Sequence, residues 1–529
     1  MYKILVSDPL AKEGVEVLKK NPDFSVDVKT GLKPEELLGI VGGYDGLLVR
    51  SETKVTDVIL SEAKNLKIIG RAGTGVDNIN VKEASKKGIV VMNVPGGNTI
   101  SAAEHTVSML LALSRNIPQA NASLKKVEWK KKEFVGTEVF GKTIGIIGFG
   151  KIGIEVAKRL LSFGMKVLVC DPFVSKERAV QLGVESVLLD ELLAQSDYIT
   201  IHTPKTEQTK NLINSETIKK MKDGVRIINC ARGGLIDEKA LADALKNGKV
   251  KGAALDVFEK EPLIPPSPFF ELNNVIITPH LGASTEEAQT NVSVEIAKQL
   301  LDYFEKGTIR NAVNFPFIPT EILQKIQPYI NLTEKLGLFV SQFTDGRVLA
   351  IEINYAGEFT KYDLSPITIA GVKGVLEPTC DRGMLNFINA PFVAQERGIK
   401  VSETRISDTT DFANLIVLKL KTETTENIIA GTVFSKNELR IVKINNYYLD
   451  VEPTGNILAF SNTDKPGVVG KIGAILGNNA INIASMEVGR ITIGGDAITV
   501  VNVDSDIPET VLVEIKSQPE IKNVKMIKL

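Results

Sequence analysis

Three glycines and one aspartate stand at the spacing of a dinucleotide site. Gly148, Gly150 and Gly153 form a G-x-G-x-x-G run between a strand pattern and a helix pattern, and Asp171 ends the next apolar run. The first glycine permits a tight turn, the second lets the backbone approach a pyrophosphate, and the third lets the helix pack on the strand. Glycines at this spacing could be present for packing alone, but the complete β-α-β unit predicts a dinucleotide-binding site. Asp171 favours NAD over NADP because its carboxylate repels a 2′-phosphate.

An arginine, a glutamate and a histidine follow three later apolar runs. Arg232 lies in INCARGGLID, Glu261 in FEKEP and His280 in IITPH, so all three are expected at neighbouring strand tips. An imidazole can remove the hydroxyl proton of a 2-hydroxy acid, and a carboxylate on its other nitrogen fixes the tautomer. An arginine can hold the substrate carboxylate in two parallel hydrogen bonds. The set predicts hydride transfer from C2 of such an acid. The alternatives are a structural strand-end histidine, a surface arginine and a turn-forming glutamate.

The composition excludes several classes of function. The 529 residues carry 63 basic and 64 acidic side chains, which leaves no charged footprint for nucleic acid or a membrane surface. No apolar run reaches the length of a membrane span, and the first one, in MYKILVSDPL, is too short for a signal peptide and predicts a strand. Three cysteines without a C-x-x-C pair predict neither a disulfide framework nor a metal site. We therefore expect a cytoplasmic protein of several domains.

Two parallel sheets are needed to position these residues. The runs KILVSD, DGLLVR, LKIIG and IVVMNV predict the strands of a first α/β domain over residues 1–95. The glycine-rich unit opens a second α/β domain over residues 96–285. Ligand sites of such sheets lie at the carboxyl ends of the strands. The later strands of the second domain are predicted at 196–203, 225–231, 252–258 and 274–280.

Two helices flank the second domain. The pattern over 100–115 is apolar on most faces and predicts a helix buried between domains or subunits. A second helix is predicted at about 284–306, and the segment of about 286–314 is expected to belong to the first, substrate-binding domain. His105 and His202 are interpreted as structural, one packing a helix and the other beside the cofactor. The predicted fold class is α/β, with two doubly wound parallel sheets of Rossmann-like or flavodoxin-like type.

The character of the sequence changes after residue 314. Residues 315–452 contain helix and strand patterns but no polar cluster that indicates a site. Residues 453–529 predict a β-α-β-β-α-β unit, which is the ferredoxin-like order. We find no repeat of fixed period.

Six motifs carry a resemblance to a known family: RAGTGVDNIN (71–80), NVPGGNTISAAEH (93–105), GIIGFGKIG (145–153), INCARGGLIDE (228–238), ALDVFEKEP (254–262) and TPHLGAST (278–285). The chain resembles the D-isomer-specific 2-hydroxyacid dehydrogenases, and among them the long members that oxidise 3-phospho-D-glycerate to 3-phosphohydroxypyruvate, the first step of phosphorylated L-serine biosynthesis. The resemblance implies the roles proposed above for Arg232, Glu261 and His280. It also implies NAD contacts from Thr74, Gly148, Gly150, Lys151, Ile152, Gly153, Asp171, Thr203, Cys230, Ala231, Arg232, Asp256, His280, Gly282 and Ala283.

A phosphorylated substrate needs cations at the far end of the site. Arg50 and Arg71 follow strands of the first domain, and Asn98 and Thr99 lie in the crossover, where the resembling enzymes have basic residues and an Asn. The two arginines could instead be solvated strand ends. Lys131, in the basic run KKVEWKKKEF, could reach the site of a partner subunit, although the resembling enzymes often carry Arg there; a solvated face is the alternative.

The resemblance extends through the tail. Residues 315–452 match an intervening, allosteric substrate-binding-like domain, and residues 453–529 match an ACT domain, which commonly binds amino acids between paired copies. This implies an L-serine effector held by Asn462, Asp464 and Asn482, and a homodimer or homotetramer. Some relatives have His at the position of Asn462. The alternative is an ACT fold that only joins subunits.

Three rival functions share parts of this pattern. A glyoxylate or hydroxypyruvate reductase has the same Arg–Glu–His set, but the tail and the Arg50/Arg71 pair argue against it. A non-enzymatic NAD-sensing scaffold, or an amino-acid sensor with a vestigial dehydrogenase, has no need of all three catalytic side chains.

Overall fold

The structure is a computed structural model that describes residues 1–316, 318–381, 383–406, 412–435 and 437–529. Its first sheet has five parallel strands in the order β2-β1-β3-β4-β5, which is the flavodoxin-like order. The elements are β1 (Tyr2–Val6), α1 (Lys12–Lys19), β2 (Phe24–Val28), α2 (Pro34–Ile40), β3 (Gly46–Val49), α3 (Asp57–Glu62), β4 (Ile68–Arg71), α4 (Val81–Lys86) and β5 (Val90–Met92). Strand β2 is not among the four predicted strands.

The second sheet has seven parallel strands in the order β12-β11-β10-β9-β6-β7-β8. The order in which strands are added to the sheet reverses between β6 and β9. This switch point creates the crevice where Rossmann folds bind dinucleotides. Its elements are α5 (Thr99–Arg115), α6 (Ile117–Lys125), β6 (Thr143–Ile147), α7 (Lys151–Ser162), β7 (Lys166–Cys170), α8 (Lys176–Gln181), β8 (Glu185–Ser186), α9 (Leu189–Gln195), β9 (Tyr198–Ile201), α10 (Ser215–Lys220), β10 (Val225–Asn229), α11 (Glu238–Lys246), β11 (Val250–Leu255), β12 (Val275–Ile277) and α12 (Glu286–Lys306).

Both predicted flanking helices are present as α5 and α12. Helix α5 buries Val107, Leu110 and Leu113 in the core of the second sheet. Helix α12 packs on the first sheet, where Ile296 and Leu300 share a core with the strands β1 and β3. The chain therefore crosses between the two sheets twice, and their carboxyl edges face a common cleft.

A third, six-stranded sheet follows, in the order β14-β13-β15-β16-β17-β18. Only the pair β13–β14 is parallel; the other neighbours are antiparallel. Its elements are α13 (Thr320–Phe343), β13 (Val348–Gly357), α14 (Ser365–Leu376), α15 (Ala390–Glu396), β14 (Lys400–Ile406), β15 (Asn414–Thr422), β16 (Glu426–Phe434), β17 (Glu438–Ile444) and β18 (Tyr447–Val451).

The C-terminal unit has the predicted ferredoxin-like order and an antiparallel sheet, β20-β21-β19-β22. One face of this sheet packs on its own two helices. From the other face, Ile457, Ala459 and Val500 join the core of helix α13, so the last two sheets share one hydrophobic core. The elements are β19 (Asn456–Thr463), α16 (Val468–Asn478), β20 (Ile483–Arg490), β21 (Asp496–Val503), α17 (Glu509–Lys516) and β22 (Ile521–Lys528).

The predicted α/β class is confirmed. Over the described residues, no helix combines the length and the apolar character needed to cross a membrane.

Candidate active site

The three glycines of the β6–α7 loop have three different surroundings. Gly148 has φ +90°, and a Cβ there would lie 2.7 Å from the carbonyl carbon of His202. Gly150, the N-cap of α7, would place a Cβ in open space. A Cβ on Gly153 would lie 2.4 Å from the carbonyl oxygen of Gly148. The loop therefore turns at the first glycine, leaves room at the second and packs at the third. That room lies at the N-terminus of a helix, where a phosphate binds favourably.

The tip of β9 faces the same loop and carries two buried polar atoms without a partner in the described part of the chain. They are Nδ1 of His202 and Oγ1 of Thr203. The other ring nitrogen of His202 lies 3.0 Å from Oγ1 of Thr200, and burial lowers the pKa of His202 to about 4. A buried polar atom is normally hydrogen-bonded, so these two fit a polar ligand held in the crevice.

Asp171 stands at the end of β7, next to the glycine loop. Its carboxylate accepts the N–H of Phe149 at 2.7 Å and the N–H of Phe173 at 2.8 Å. These bonds fix the carboxylate beside the glycine loop. In Rossmann folds an acid at this place commonly accepts hydrogen bonds from the ribose, and that role of Asp171 stays a prediction.

His280 and Glu261 are brought into contact. The Nδ1–H of His280 donates to Oε2 of Glu261 at 2.8 Å, while Oε1 of Glu261 accepts the N–H of Phe258 at 3.1 Å. With Nδ1 carrying the proton, Nε2 presents a lone pair to the cleft. Burial raises the pKa of Glu261, but the hydrogen bond and charge of His280 outweigh it, and the net pKa is lowered.

The backbone of His280 is held by Asp256. His280 has φ +56°, and its N–H donates to the carbonyl of Asp256 at 2.9 Å. The fully buried Asp256 carboxylate accepts the N–H of Leu281 at 2.7 Å and that of Gly282 at 2.9 Å. Burial raises the pKa of Asp256, but hydrogen bonds led by that of His105 lower it overall. Asp256 thus anchors the loop after His280, and its predicted cofactor contact stays a prediction.

Three arginines surround the end of β4. The Nε–H of Arg232 donates to Oδ2 of Asp77 at 3.0 Å across the cleft, and the Nε–H of Arg71 donates to the carbonyl of Arg50 at 3.0 Å. Burial and the charges of Arg232 and Arg50 lower the pKa of Arg71 to about 10, against the opposing charges of Asp77 and Asp8. Such a cluster of cations favours an anionic ligand.

The crossover segment closes the cleft from the side. The hydroxyl of Thr74 donates to Oδ1 of Asn98 at 2.8 Å, just before Thr99 begins α5. The ammonium of Lys151 donates to the carbonyl of Pro95 at 3.2 Å, so the first residue of α7 reaches the crossover. Ile152 follows it in α7, half-buried. These contacts join the glycine loop to the first domain.

A cavity of about 750 Å³ lies between the two sheets. Its wall brings Arg50 and Arg71 together with Glu261, His280 and Ala283. Cys230 is buried behind the strand tips, and burial raises the pKa of its thiol. The N–H of Ala231, the next residue, donates to Oδ1 of Asn229 at 3.0 Å.

Other predicted residues lie apart from the cavity. Lys131 is exposed on a 3-10 turn, Lys131–Phe134. Asn462 accepts from the hydroxyl of Thr499 at 2.8 Å, and Asp464 pairs with Arg490 at 2.9 Å. Asn482 donates to Asp504 at 2.6 Å. Asn462 pairs with Ala497 at one end of β21, whereas Ile483, next to Asn482, pairs with Val503 at the other end. One chain therefore does not bring the three predicted effector residues together.

Three polar residues of the cleft are absent from the sequence predictions. Asp8 lies under the Arg50 loop, Asn78 donates to the carbonyls of that loop, and Asp77 holds Arg232. Asp77 and Asn78 lie inside the RAGTGVDNIN motif, so the motif could have indicated them. For Asp8 the only signal in the sequence is its position after the first strand.

The chain is similar to proteins of known activity. The family model "D-isomer specific 2-hydroxyacid dehydrogenase, NAD binding domain" matches residues 107–282, that of the D-3-phosphoglycerate dehydrogenase intervening domain matches 325–445, and that of the ACT domain matches 456–520. A D-3-phosphoglycerate dehydrogenase from Synechocystis is 46% identical over 100% of this chain and 95% of its own length. One from Bacillus subtilis is 44% identical over 100% of both. The crystal structure of a D-lactate dehydrogenase from Aquifex aeolicus, complexed with NAD and lactic acid, is 32% identical with a TM-score of 0.53, covering 59% of this chain and 99% of that chain.

Proposed function

Because the chain belongs to the D-3-phosphoglycerate dehydrogenases, we propose that it oxidises 3-phospho-D-glycerate to 3-phosphohydroxypyruvate with NAD, the first step of phosphorylated L-serine biosynthesis. The observation that carries the proposal is the cavity itself. It places a histidine–glutamate pair against two arginines, so one small acid can meet a base at C2 and cations at its far end.

Each residue of the site has a separate role in the reaction. Nε2 of His280 accepts the proton of the C2 hydroxyl, and Glu261, bonded to Nδ1 at 2.8 Å, stabilises the imidazolium that results. The guanidinium of Arg232 holds the carboxylate and polarises the C2 oxygen. Asn98 and Thr99 line the crossover side of the substrate. His280, fixed by Asp256, stays aligned while the proton moves.

NAD fits the crevice of the second sheet. Gly148, Gly150, Lys151, Ile152 and Gly153 would hold the pyrophosphate, and Asp171 the adenosine ribose. The half of the crevice next to His280 would take the nicotinamide, with contacts from Thr74, Thr203, Cys230, Ala231, Arg232, Asp256, His280, Gly282 and Ala283. When bound, NAD supplies the acceptor for the hydrogen at C2 of the substrate.

The phosphate end is assigned to Arg50 and Arg71. The half-buried guanidinium of Arg71 has a pKa lowered to about 10, because burial and neighbouring cations disfavour its charge. A bound phosphate would supply the missing negative charge. An unphosphorylated 2-hydroxy acid has no group for this end of the cavity.

The test is NAD reduction with 3-phosphoglycerate and, separately, with D-glycerate. Arg71→Ala should raise KM for 3-phosphoglycerate by about tenfold or more, as expected for a lost charged hydrogen bond, and leave KM for glycerate near its starting value. Arg347→Ala, at an arginine just before β13 whose side chain is 69% exposed, is the control and should change neither constant. Equal effects of Arg71→Ala on both substrates would contradict the phosphate assignment, and a preference of the parent enzyme for glycerate would point to a hydroxypyruvate-type reductase.

We further propose that the chain acts as a homodimer or homotetramer regulated by L-serine. The arm after α6 exposes Val127, Trp129 and Val135 by 91%, 82% and 78%, an apolar surface that a second copy would cover, bringing Lys131 to the site of a neighbour. Pairing two C-terminal units end to end would set Asn462 and Asp464 near Asn482 of the partner subunit. Adding L-serine to the same assay tests the regulation.

The cysteines support a reducing compartment. Cys170, Cys230 and Cys380 are free thiols. This fits the cytoplasmic location we propose.

A further inference from the structure

We propose that Asp8 is a positioning residue for the phosphate end of the substrate. It holds the loop of residues 50–53 so that Arg50 faces the cavity. The inference rests on the proposed function, since it takes Arg50 and Arg71 as the phosphate ligands. Asp8 itself touches neither substrate nor cofactor in this arrangement.

The Asp8 carboxylate organises the loop through its backbone. Asp8 follows β1 at the carboxyl edge of the first sheet and is 1% exposed. Its Oδ2 accepts the N–H of Arg50 at 2.6 Å, and its Oδ1 accepts the N–H of Thr53 at 3.0 Å. The N–H of Glu52 and the hydroxyl of Thr53 also donate to it. One buried carboxylate thus receives bonds from three of the four residues of the loop.

Asn78 holds the same loop from the opposite side. Its Nδ2 donates to the carbonyl of Thr53 at 2.7 Å and to that of Arg50 at 3.2 Å. The carbonyl of Arg50 also accepts the Nε–H of Arg71 at 3.0 Å. The backbone of Arg50 is therefore fixed at both its N–H and its carbonyl, and its position is tied to that of Arg71. A preorganised pair of arginines loses less entropy when it binds a phosphate.

The charge of Asp8 matters as well as its shape. Two carboxylate oxygens can accept all four donors, whereas an amide offers one acceptor oxygen and turns an NH₂ group toward N–H donors. The Asp8 charge also opposes the mutual repulsion of the arginines, because it is one of the groups that raise the pKa of Arg71. Replacing the carboxylate should therefore loosen the loop and weaken the pairing of the two cations.

The test is the full-length Asp8→Asn variant, assayed with 3-phosphoglycerate and with D-glycerate. We expect KM for 3-phosphoglycerate to rise by about tenfold, the size expected when buried charged hydrogen bonds are lost, while kcat and KM for D-glycerate stay within about threefold. Without NAD, 3-phosphoglycerate should raise the unfolding temperature of the variant less than that of the parent. The matched control is Asp45→Asn at the other end of the same strands, where Oδ2 accepts the N–H of Lys3 at 2.9 Å. It should change neither KM.

The outcomes separate the two proposals. If Arg50→Ala and Arg71→Ala raise KM for 3-phosphoglycerate selectively and Asp8→Asn does not, the inference about Asp8 is overturned and the proposed function stands. If none of the three is selective, the phosphate assignment itself fails. Should Asp8→Asn not fold, the Asn78→Ala variant tests the positioning of the loop instead. A rise in its KM for 3-phosphoglycerate alone supports the proposal, and an unchanged KM for 3-phosphoglycerate overturns the proposal.

Discussion

The carboxylates of Asp256 and Glu261 both follow strand β11, yet their partners differ. Asp256 is fully buried and receives backbone N–H groups, so its charge fixes a loop. Glu261 meets the ring of His280 at 2.8 Å and stays open to the cavity. Its charge can therefore respond when the imidazole gains a proton. The sequence could bring Glu261 and His280 together because both follow strands of one parallel sheet. It could not indicate Asp8, since a single acid after a strand has no distinguishing spacing.

Replacing Glu261 by glutamine tests the first of these roles. The amide cannot stabilise the imidazolium, so kcat should fall by about 10²- to 10⁴-fold, as for other His–acid pairs, while KM changes little.

The same substitution should change the pH dependence of stability. The pKa of Glu261 is lowered in the folded state, so this carboxylate stabilises the fold above its unfolded-state pKa, and that stabilisation disappears as the pH falls through its folded-state pKa. In urea unfolding at several pH values, the free energy of unfolding of Glu261→Gln should therefore fall less at acid pH than that of the parent. Glu259→Gln, at an exposed acid two residues earlier, is the control. A Glu261→Gln enzyme with the parent kcat would contradict the pairing.

Strands with a clear apolar pattern were predictable, whereas a weakly patterned edge strand and the pairings of distant strands were not. The unit β6–α7–β7 repeats a local pattern, and so do the strands β3, β4 and β5. Strand β2 carries FSVDV, with an aspartate and a serine alternating among its apolar residues, because it lies at the edge of the sheet and only its first residue is buried. Its pattern is weak for that reason. In the third sheet the consecutive strands β15 to β18 pair as antiparallel neighbours. Strand β13 instead pairs with β14 and β15 across α14 and α15, and no local pattern indicates those two pairings.

Substitutions of two glycines in the β6–α7 loop should affect folding stability and NAD binding separately. Gly148→Ala forces a side chain into φ +90° and against the backbone of His202, which should cost about 1–3 kcal/mol of folding free energy. Gly150→Ala places its methyl group in open space at φ −74°, so the fold should be retained. That space is where we place the pyrophosphate, so Gly150→Ala should lose NAD affinity. Thermal unfolding and calorimetric titration with NAD measure the two effects. Parent-like NAD affinity in Gly150→Ala would contradict the phosphate position.

Across the whole molecule, the two C-terminal sheets form one body that touches the first sheet at a defined place. The turn between α4 and β5 is held by Asn386, whose Nδ2 donates to the carbonyl of Gly88 at 2.8 Å. Ile388 is 3% exposed and joins the core of the first sheet beside Met92. Strand β5 then leads to Val94, whose N–H donates to the carbonyl of Gly73 at 2.9 Å. The C-terminal body is thus connected to β5 through residues about 300 positions apart in the sequence, so no local sequence pattern could indicate this contact.

The contact made by Ile388 should be needed for that connection. Ile388→Ala removes buried methyl groups at the junction, with a cost of about 2–4 kcal/mol if the site cannot collapse. We expect faster amide hydrogen exchange in residues 88–94, a smaller response of the activity to L-serine, and a kcat close to that of the parent, since the cavity side chains are untouched. The control is Ile493→Ala, at an isoleucine 88% exposed in the C-terminal unit. Unchanged exchange in residues 88–94 would show that the junction does not restrain β5, and the strand would then not be the route between the two bodies.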